Sequence, residues 1–234
     1  MPVRFRPLAP INSEFDSGSG HQRYSMDSFI NTAERMVLIK DMSKLIDFDL
    51  IRKTVDTLEF KRVPLNSMSV DYNLFDRPGF ENIKKTFENE AVHFLRNGFN
   101  LEVGKDFEDL KITNSWAASS QPGEAHHKHV HPFSVVSGVV FIDEHPCNSN
   151  FSVELYKPNV PYYFPSKPNN VVEIGSLIKE NVSLKHHLVL FLSDTSHMVK
   201  PTSKDSEVRR TVAFNTFWKG LVGIPEDLLS NHVF

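Results

Sequence analysis

Hydrophobic residues in the first half of the chain recur at the spacing of a helix. Between residues 45 and 58 they lie three or four positions apart, with Asp47 or Asp49 placed to cap the first turn. A second helix is predicted over about residues 78–96, ended by Asn97-Gly98. Its apolar stripe consists of Phe80, Ile83, Phe87, Ala91 and Leu95. Residues 27–109 are therefore predicted to be a helical region that packs on a core.

From about residue 110 the pattern changes to short runs rich in Val, Ile, Phe and Tyr, separated by Gly, Pro and Asn. These runs are Ile112–Trp116, Ser137–Ile142, Phe151–Tyr156, Leu188–Leu192 and Thr211–Phe217. Five or more strands without helices between them favour a barrel or jelly roll over alternating strands and helices. We therefore predict a mainly β core over residues 110–234, with the N-terminal α-helices packed on it as one globular unit.

Composition and charge limit the classes of partner. Residues 1–26 are rich in Pro, Ser, Gly and Arg, which predicts a flexible tail. No apolar run approaches the roughly 20 residues of a membrane-spanning helix, and no signal peptide is recognisable. The single cysteine, Cys147, is typical of a reducing compartment, so we expect a soluble, cytoplasmic protein without membrane contact. With a net charge of −3 and dispersed basic residues, no nucleic-acid surface is evident. A homodimer is left open.

Histidines suggest a metal site. Four of the eleven histidines lie between residues 126 and 131. His129 and His131, two positions apart on an extended segment, present their imidazoles to one face and offer two ligands for a divalent metal. His197, a few residues after the buried run 188–192, is the best candidate for a third ligand. Five other histidines are interpreted as loop or strand-surface residues, namely His126, His127, His145, His186 and His187.

The last predicted strand carries a candidate anion site. Arg209 and Thr211 share one face of this strand with Ala213 and Asn215. An arginine inside a barrel is costly unless it is paired. A ligand carboxylate would pair it, with the Thr211 hydroxyl as an added donor.

Two further residues are pocket candidates. Asn114 and Trp116 lie on one face of the strand that precedes the histidine segment, so both could line a pocket next to the metal. For Trp116, a place in the core is an equally open interpretation. The loop over residues 144–179 is expected to border the entrance to the pocket.

The order of these landmarks resembles the 2-oxoglutarate, Fe(II)-dependent oxygenase superfamily. Its motif is His-x-Asp/Glu, a distal His, and an Arg about a dozen residues later. A closer resemblance is to an oxygenase family of bacteria and phages, in which Trp and Gly precede a His-x-His-Pro stretch and a Ser-Gly-Val strand. The matching residues here are Trp116, Gly123, His129-Val130-His131-Pro132, Ser137-Gly138-Val139, His197 and Arg209.

The resemblance implies a double-stranded β-helix that binds Fe(II), with 2-oxoglutarate as cosubstrate. His129 and His197 would bind iron, and Arg209 with Thr211 would hold the distal carboxylate of 2-oxoglutarate. The expected reaction uses O₂ and an unidentified substrate, hydroxylates a C–H bond, and releases succinate and CO₂. His131 stands where the family has a carboxylate, so it is either a third ligand or a neighbour of the metal. Phe141 stands where relatives often have a tyrosine.

Two other functions fit the same residues. One is a cupin-like metal protein, or a dioxygenase that does not use 2-oxoglutarate. The other is a structural jelly roll with its histidines on a surface loop. Only the oxygenase needs Arg209 and Thr211 to face the same cavity as His129 and His197, and we expect that they do.

Overall fold

The computed structural model of this chain describes residues 28–32, 35–100, 108–145, 148, 151–154, 171–173, 184–222 and 231–233. The predicted tail over residues 1–26 and most of the predicted entrance loop lie outside the described residues. Among the helices that are described, none combines the length and the apolar character needed to cross a bilayer.

The described elements are thirteen strands, two α-helices and one short 3-10 helix. In chain order they are β1 (Ser28–Thr32), β2 (Arg35–Asp41), α1 (Phe48–Val55), β3 (Phe60–Arg62), β4 (Ser67–Ser69), the 3-10 helix η1 (Leu74–Asp76), α2 (Glu81–Phe99), β5 (Glu108–Ser120), β6 (His126–His129), β7 (Val136–Phe141), β8 (Phe151–Glu154), β9 (Val171–Glu173), β10 (His187–Leu192), β11 (His197–Val199), β12 (Arg209–Val222) and β13 (Asn231–Val233).

Among the described strands, two antiparallel sheets make up the core. The larger has the order β1-β2-β10-β7-β12-β5-β4-β3, with β13 also paired to β12, and the smaller has the order β6-β11-β8-β9. The prediction of a mainly β core with N-terminal helices is confirmed.

Apolar side chains of the large sheet alternate between two cores. On β10, Leu188 and Leu190 pack with α1 and α2 on the outer face, while Val189 and Phe191 pack between the two sheets. On β12, Val212 and Phe214 belong to the helix side and Ala213 to the inter-sheet side. Strands buried on both faces have continuous apolar sequences, which explains the uninterrupted run on β10.

The first helix begins where the sequence predicted, and the second helix ends later than predicted. The Asp47 carboxylate accepts a hydrogen bond from the Leu50 amide at 3.0 Å and caps α1. The predicted stop at Asn97-Gly98 is wrong, because α2 continues to Phe99 and ends at Asn100, which has φ +54°. Gly98 instead permits close packing, since a Cβ there would overlap the Met36 sulfur of β2.

The prediction of a helical region over residues 27–109 is only partly right. The region contains α1, η1 and α2, but also the four strands β1–β4. Strand β2 is buried on both faces over Met36–Ile39, so its apolar residues do not alternate with polar ones. Strands β3 and β4 have three residues each, which is too short for a periodic pattern.

Gly138 is required by the aromatic packing on the large sheet. It lies opposite Phe214 in the β7–β12 pairing, and a Cβ at Gly138 would overlap the Phe214 ring. We expect Gly138→Ala to lower the free energy of unfolding by about 1–3 kcal/mol through overpacking, measured by urea denaturation. The cost should shrink in a Phe214→Leu background, which removes the ring. An equal cost in both backgrounds would contradict this explanation.

Candidate metal centre and cosubstrate pocket

The histidine cluster lies between the two sheets. Strand β6 pairs antiparallel with β11, and the register places His129 directly opposite His197. Directly opposed residues of an antiparallel pair project to the same face. His131 follows the end of β6, and its backbone amide donates to the Ser193 carbonyl at 2.9 Å, which holds it beside the start of β11.

Three imidazoles converge in this cluster. The ligand atoms of His129, His131 and His197 all lie within 4.8 Å of one another. The Nε2 atoms of His129 and His131 are 3.1 Å apart. The His197 ring centroid lies 4.1 Å from that of His129 and 4.8 Å from that of His131. His197 is buried, whereas the other two are partly buried.

The remaining ring nitrogen of each imidazole faces an oxygen acceptor. His129 Nδ1 donates to the His127 carbonyl at 2.8 Å, and His197 Nδ1 donates to the Thr195 carbonyl at 2.9 Å. His131 Nδ1 donates to Asn215 Oδ1. Because these oxygens only accept, the protons sit on Nδ1 and the three Nε2 lone pairs face one another. Converging lone pairs repel unless a cation binds them, so the donor set fits a divalent transition metal such as Fe(II).

Burial keeps these imidazoles neutral. Burial, assisted by the nearby His129 and His131, lowers the pKa of His197 to about 2. Burial likewise lowers the pKa of His129 to about 4, assisted by the adjacent histidines. For His131, burial lowers the pKa against the opposing effect of its bond to Asn215. Near neutral pH the cluster therefore offers lone pairs without first losing protons.

Three serine hydroxyls form a hydrogen-bonded group next to Nδ1 of His131. Ser137 Oγ lies 3.0 Å from His131 Nδ1 and donates to Asn215 Oδ1 at 2.8 Å. Ser137 Oγ also lies 2.8 Å from Ser193 Oγ, which donates to Ser134 Oγ at 2.7 Å. The positions of Asn215 and His131 are thus fixed by neighbours on β7 and on the segments that precede β7 and follow β10.

Arg209 points into the same cavity. Its side chain is only 4% exposed and lines the cavity together with Thr211 and the three histidines. Its Nε donates to Asn148 Oδ1 at 3.1 Å, and its guanidinium carbon lies 5.4 Å from the centre of the Phe141 ring. These contacts hold the guanidinium in place. The burial of Arg209 excludes a surface location for this residue.

The comparisons with known proteins agree with this geometry. Residues 114–215 match the sequence model of the family described as "Putative 2OG-Fe(II) oxygenase". Over these residues the chain is similar to the 2OG-Fe(II) oxygenase family. No significant sequence match is found among curated proteins.

Two solved structures are similar to this chain in fold. HygX from Streptomyces hygroscopicus, solved with nickel, 2-oxoglutarate and hygromycin B, has 10% identity and a TM-score of 0.51 over 77% of this chain and 82% of HygX. SnoN, a non-heme alpha ketoglutarate dependent epimerase from nogalamycin biosynthesis, has 11% identity and a TM-score of 0.52 over 77% of this chain and 76% of SnoN. At these identities the similarity shows the fold alone, and the expected double-stranded β-helix is confirmed.

The two pocket candidates on β5 differ in position. Trp116 lines the cavity, and its ring lies 5.8 Å from that of His131, but it is also part of the inter-sheet core. Asn114 does not line the cavity among the described residues. It lies two residues before Trp116 on β5, pairs with Asn215 and is partly exposed.

Two histidines interpreted as loop or strand-surface residues are less accessible to solvent than expected. His126 lines the cavity instead of facing solvent, and burial together with the neighbouring histidines lowers its pKa to about 3. His145 is 5% exposed, with Nε2 at 3.0 Å from the Glu207 carbonyl. Asn66 was not predicted from the sequence; it lies in the β3–β4 hairpin and lines the cavity at 2% exposure. No sequence pattern links Asn66 to residues sixty positions away.

Asn215 is expected to control metal affinity without contacting the metal. Its amide oxygen fixes the His131 tautomer, so Asn215→Ala should lower the affinity for Fe(II) or Co(II) by about 10–100-fold. Anaerobic metal titration of the apo protein measures the effect. The matched control is Asn114→Ala, because Asn114 pairs with Asn215 but lies outside the cavity. Equal affinity in the two variants would show that Asn215 does not act on the metal site.

Proposed function

We propose that this chain is an Fe(II)- and 2-oxoglutarate-dependent dioxygenase that hydroxylates an unidentified substrate, with release of succinate and CO₂. The observation that carries the proposal is the cavity shared by the three converging histidines, Arg209 and Thr211. O₂ and the organic substrate are the remaining reactants. A cytoplasmic location, favoured by the single cysteine, is part of the same proposal.

His129, His131 and His197 would hold the metal through Nε2. With Fe(II) bound, the centre supplies O₂ activation coupled to oxidative decarboxylation of 2-oxoglutarate. We assign His131 to the ligand set because its Nε2 lies 3.1 Å from that of His129 and its Nδ1 proton is engaged by Asn215. Three protein ligands leave coordination positions open for reactants.

Arg209 and Thr211 would hold the distal carboxylate of 2-oxoglutarate. A guanidinium pairs with a carboxylate through two parallel hydrogen bonds, and a threonine hydroxyl adds a third donor. Both side chains are at most 5% exposed, so little water competes for the carboxylate. Phe141 supports the guanidinium through its ring face and donates nothing to the ligand.

The cavity walls would exclude water from the reaction. Besides the polar groups, the cavity is lined by apolar residues of both sheets, namely Trp116, Ala118, Val139, Phe151 and Ala213. Such a lining strengthens the electrostatic contacts of Arg209 and protects reactive species from quenching by solvent.

A cupin-like metal protein, or a dioxygenase without 2-oxoglutarate, would share the histidines but has no use for a buried guanidinium at the same cavity. Anaerobic addition of Fe(II) and 2-oxoglutarate separates these functions. The proposed enzyme should develop a weak visible charge-transfer band, and candidate substrates should stimulate succinate formation. Bound metal without this band would favour the alternatives.

The same experiment tests the role of His131. If it is a ligand, His131→Ala should lose iron affinity or change the visible spectrum of bound Co(II), because one imidazole leaves the coordination sphere. An unchanged affinity and spectrum would place His131 outside the coordination sphere, with His129 and His197 as the protein ligands.

A further inference from the structure

A fourth histidine lies in the cavity outside the metal cluster. His126 and Asn66 both line it, on the described part of the chain, together with Arg209 and Thr211. The Asn66 side chain is only 2% exposed. Neither residue belongs to the group of atoms that converges around the metal position.

Strand pairing places both residues at the Arg209 end of the cavity. Arg209 pairs with Ser120, the last residue of β5, and the next residue back, Ser119, pairs with Ser67. Asn66 directly precedes Ser67. The turn after Ser120 leads into His126, the first residue of β6. The metal end lies further along β6 and β12.

The tautomer of His126 is opposite to that of the three candidate ligands. Its Nδ1 lies 3.5 Å from the amide nitrogen of Asn66, a long contact in which that amide can only donate. A neutral imidazole whose Nδ1 accepts carries its proton on Nε2. His126 therefore offers an N–H donor where His129 and His197 offer lone pairs.

The His126 ring is held in place from a second side. It stacks on His129 with ring centroids 4.5 Å apart and planes inclined by 14°. Stacking fixes the ring plane, and the Asn66 contact fixes its rotation. The Nε2–H direction is thus set before any ligand enters, which reduces the entropy lost on binding.

We propose that His126, oriented by Asn66, donates a hydrogen bond from Nε2 to the distal carboxylate of the 2-oxo dicarboxylate that Arg209 and Thr211 hold. This inference rests on the proposed function. A carboxylate has about four lone-pair positions. The guanidinium and the Thr211 hydroxyl satisfy three of them, and His126 supplies the fourth donor. His126 would then help to select dicarboxylates over monocarboxylates, with Asn66 as a positioning residue.

The test compares two 2-oxo acids on the full-length protein. Affinities of 2-oxoglutarate and of 2-oxobutyrate, which lacks the distal carboxylate, are measured anaerobically with Fe(II) bound. His126→Phe keeps the stacked ring but removes the donor, so 2-oxoglutarate affinity should fall roughly tenfold or more while 2-oxobutyrate affinity stays within about twofold. His126→Gln retains an N–H donor and should recover part of the loss. Asn66→Leu should give a smaller loss, also confined to 2-oxoglutarate.

The matched control is His127→Phe, because His127 is exposed on the same strand. Co(II) affinity without any 2-oxo acid should be the same in wild type, His126→Phe and His127→Phe. Loss of Co(II) affinity in His126→Phe would overturn the inference by making His126 a metal ligand. Unchanged 2-oxoglutarate affinity in both His126 variants would overturn it while leaving the proposed function intact. Failure of the metal-loaded wild type to bind 2-oxoglutarate would refute the proposed function itself.

Discussion

Replacing His197 with alanine should abolish metal binding. His197 is the most buried of the three candidate ligands, and its ring lies between those of His129 and Phe191, at 4.1 Å and 4.6 Å. Loss of a residue that only supports a ligand costs about 10–100-fold in metal affinity, so loss of the ligand itself should exceed roughly 100-fold.

Metal titration of apo protein under anaerobic conditions measures the effect, with circular dichroism to check that the variant is folded. His187→Ala is the matched control, since His187 begins β10 and does not line the cavity. Its metal affinity should equal that of wild type. Tight metal binding by folded His197→Ala protein would refute the assignment of this histidine as a ligand.

The sequence predicted the candidate metal ligands, because these residues occur in a characteristic order along the chain. His129 and His197 are 68 positions apart, yet the structure places them opposite each other because β6 and β11 pair in this register. The spacing of His129 and His131 and the position of His197 after a buried run made them candidates, and the order of landmarks that resembles a known family joined them into one site. Spacing alone does not define which strands pair.

The remaining parts of the site depend on contacts that no local pattern encodes. Asn66 reaches the cavity from a hairpin whose strands have three residues each, and His126 was indistinguishable from its exposed neighbour His127. The serine hydroxyls next to His131 connect β7 with the segment before β7 and the segment after β10. Serines are common in loops and strands, so their convergence becomes visible only once the sheets are assembled.

The fold, like the site, could be predicted only in part from the sequence. Strands that are buried on both faces, such as β7 and β10, have apolar runs that a sequence reveals directly. Strand β2, which lies between β1 and β10, has the same kind of run, but it follows a stretch of polar residues and precedes two helices, so the helical context concealed it. Gly98 illustrates a second limit, because a glycine that permits close packing looks the same in a sequence as one that ends a helix.

Replacing Arg209 with methionine should remove 2-oxoglutarate binding while leaving metal binding intact. The guanidinium is 4% exposed and supplies the charge that a dicarboxylate requires at that end of the cavity. Truncating one partner of a buried, hydrogen-bonded charge pair costs about 2–5 kcal/mol. This corresponds to roughly 30-fold to several thousand-fold weaker 2-oxoglutarate binding. Methionine retains much of the apolar stem that packs near Phe141, so the loss should reflect the charge rather than the packing.

Arg210 provides the matched control because it is adjacent in sequence but points to the opposite face of β12. Its guanidinium pairs with Asp143 and Asp56, next to α1. Arg210→Met should cost about 1 kcal/mol or less of stability, as for a partly exposed ion pair, and should leave 2-oxoglutarate affinity unchanged. The visible charge-transfer band of the anaerobic complex, titrated with 2-oxoglutarate, separates the two variants. Equal losses in both would mean that the charge acts at long range, whereas no loss in Arg209→Met would remove the basis for assigning 2-oxoglutarate as the cosubstrate.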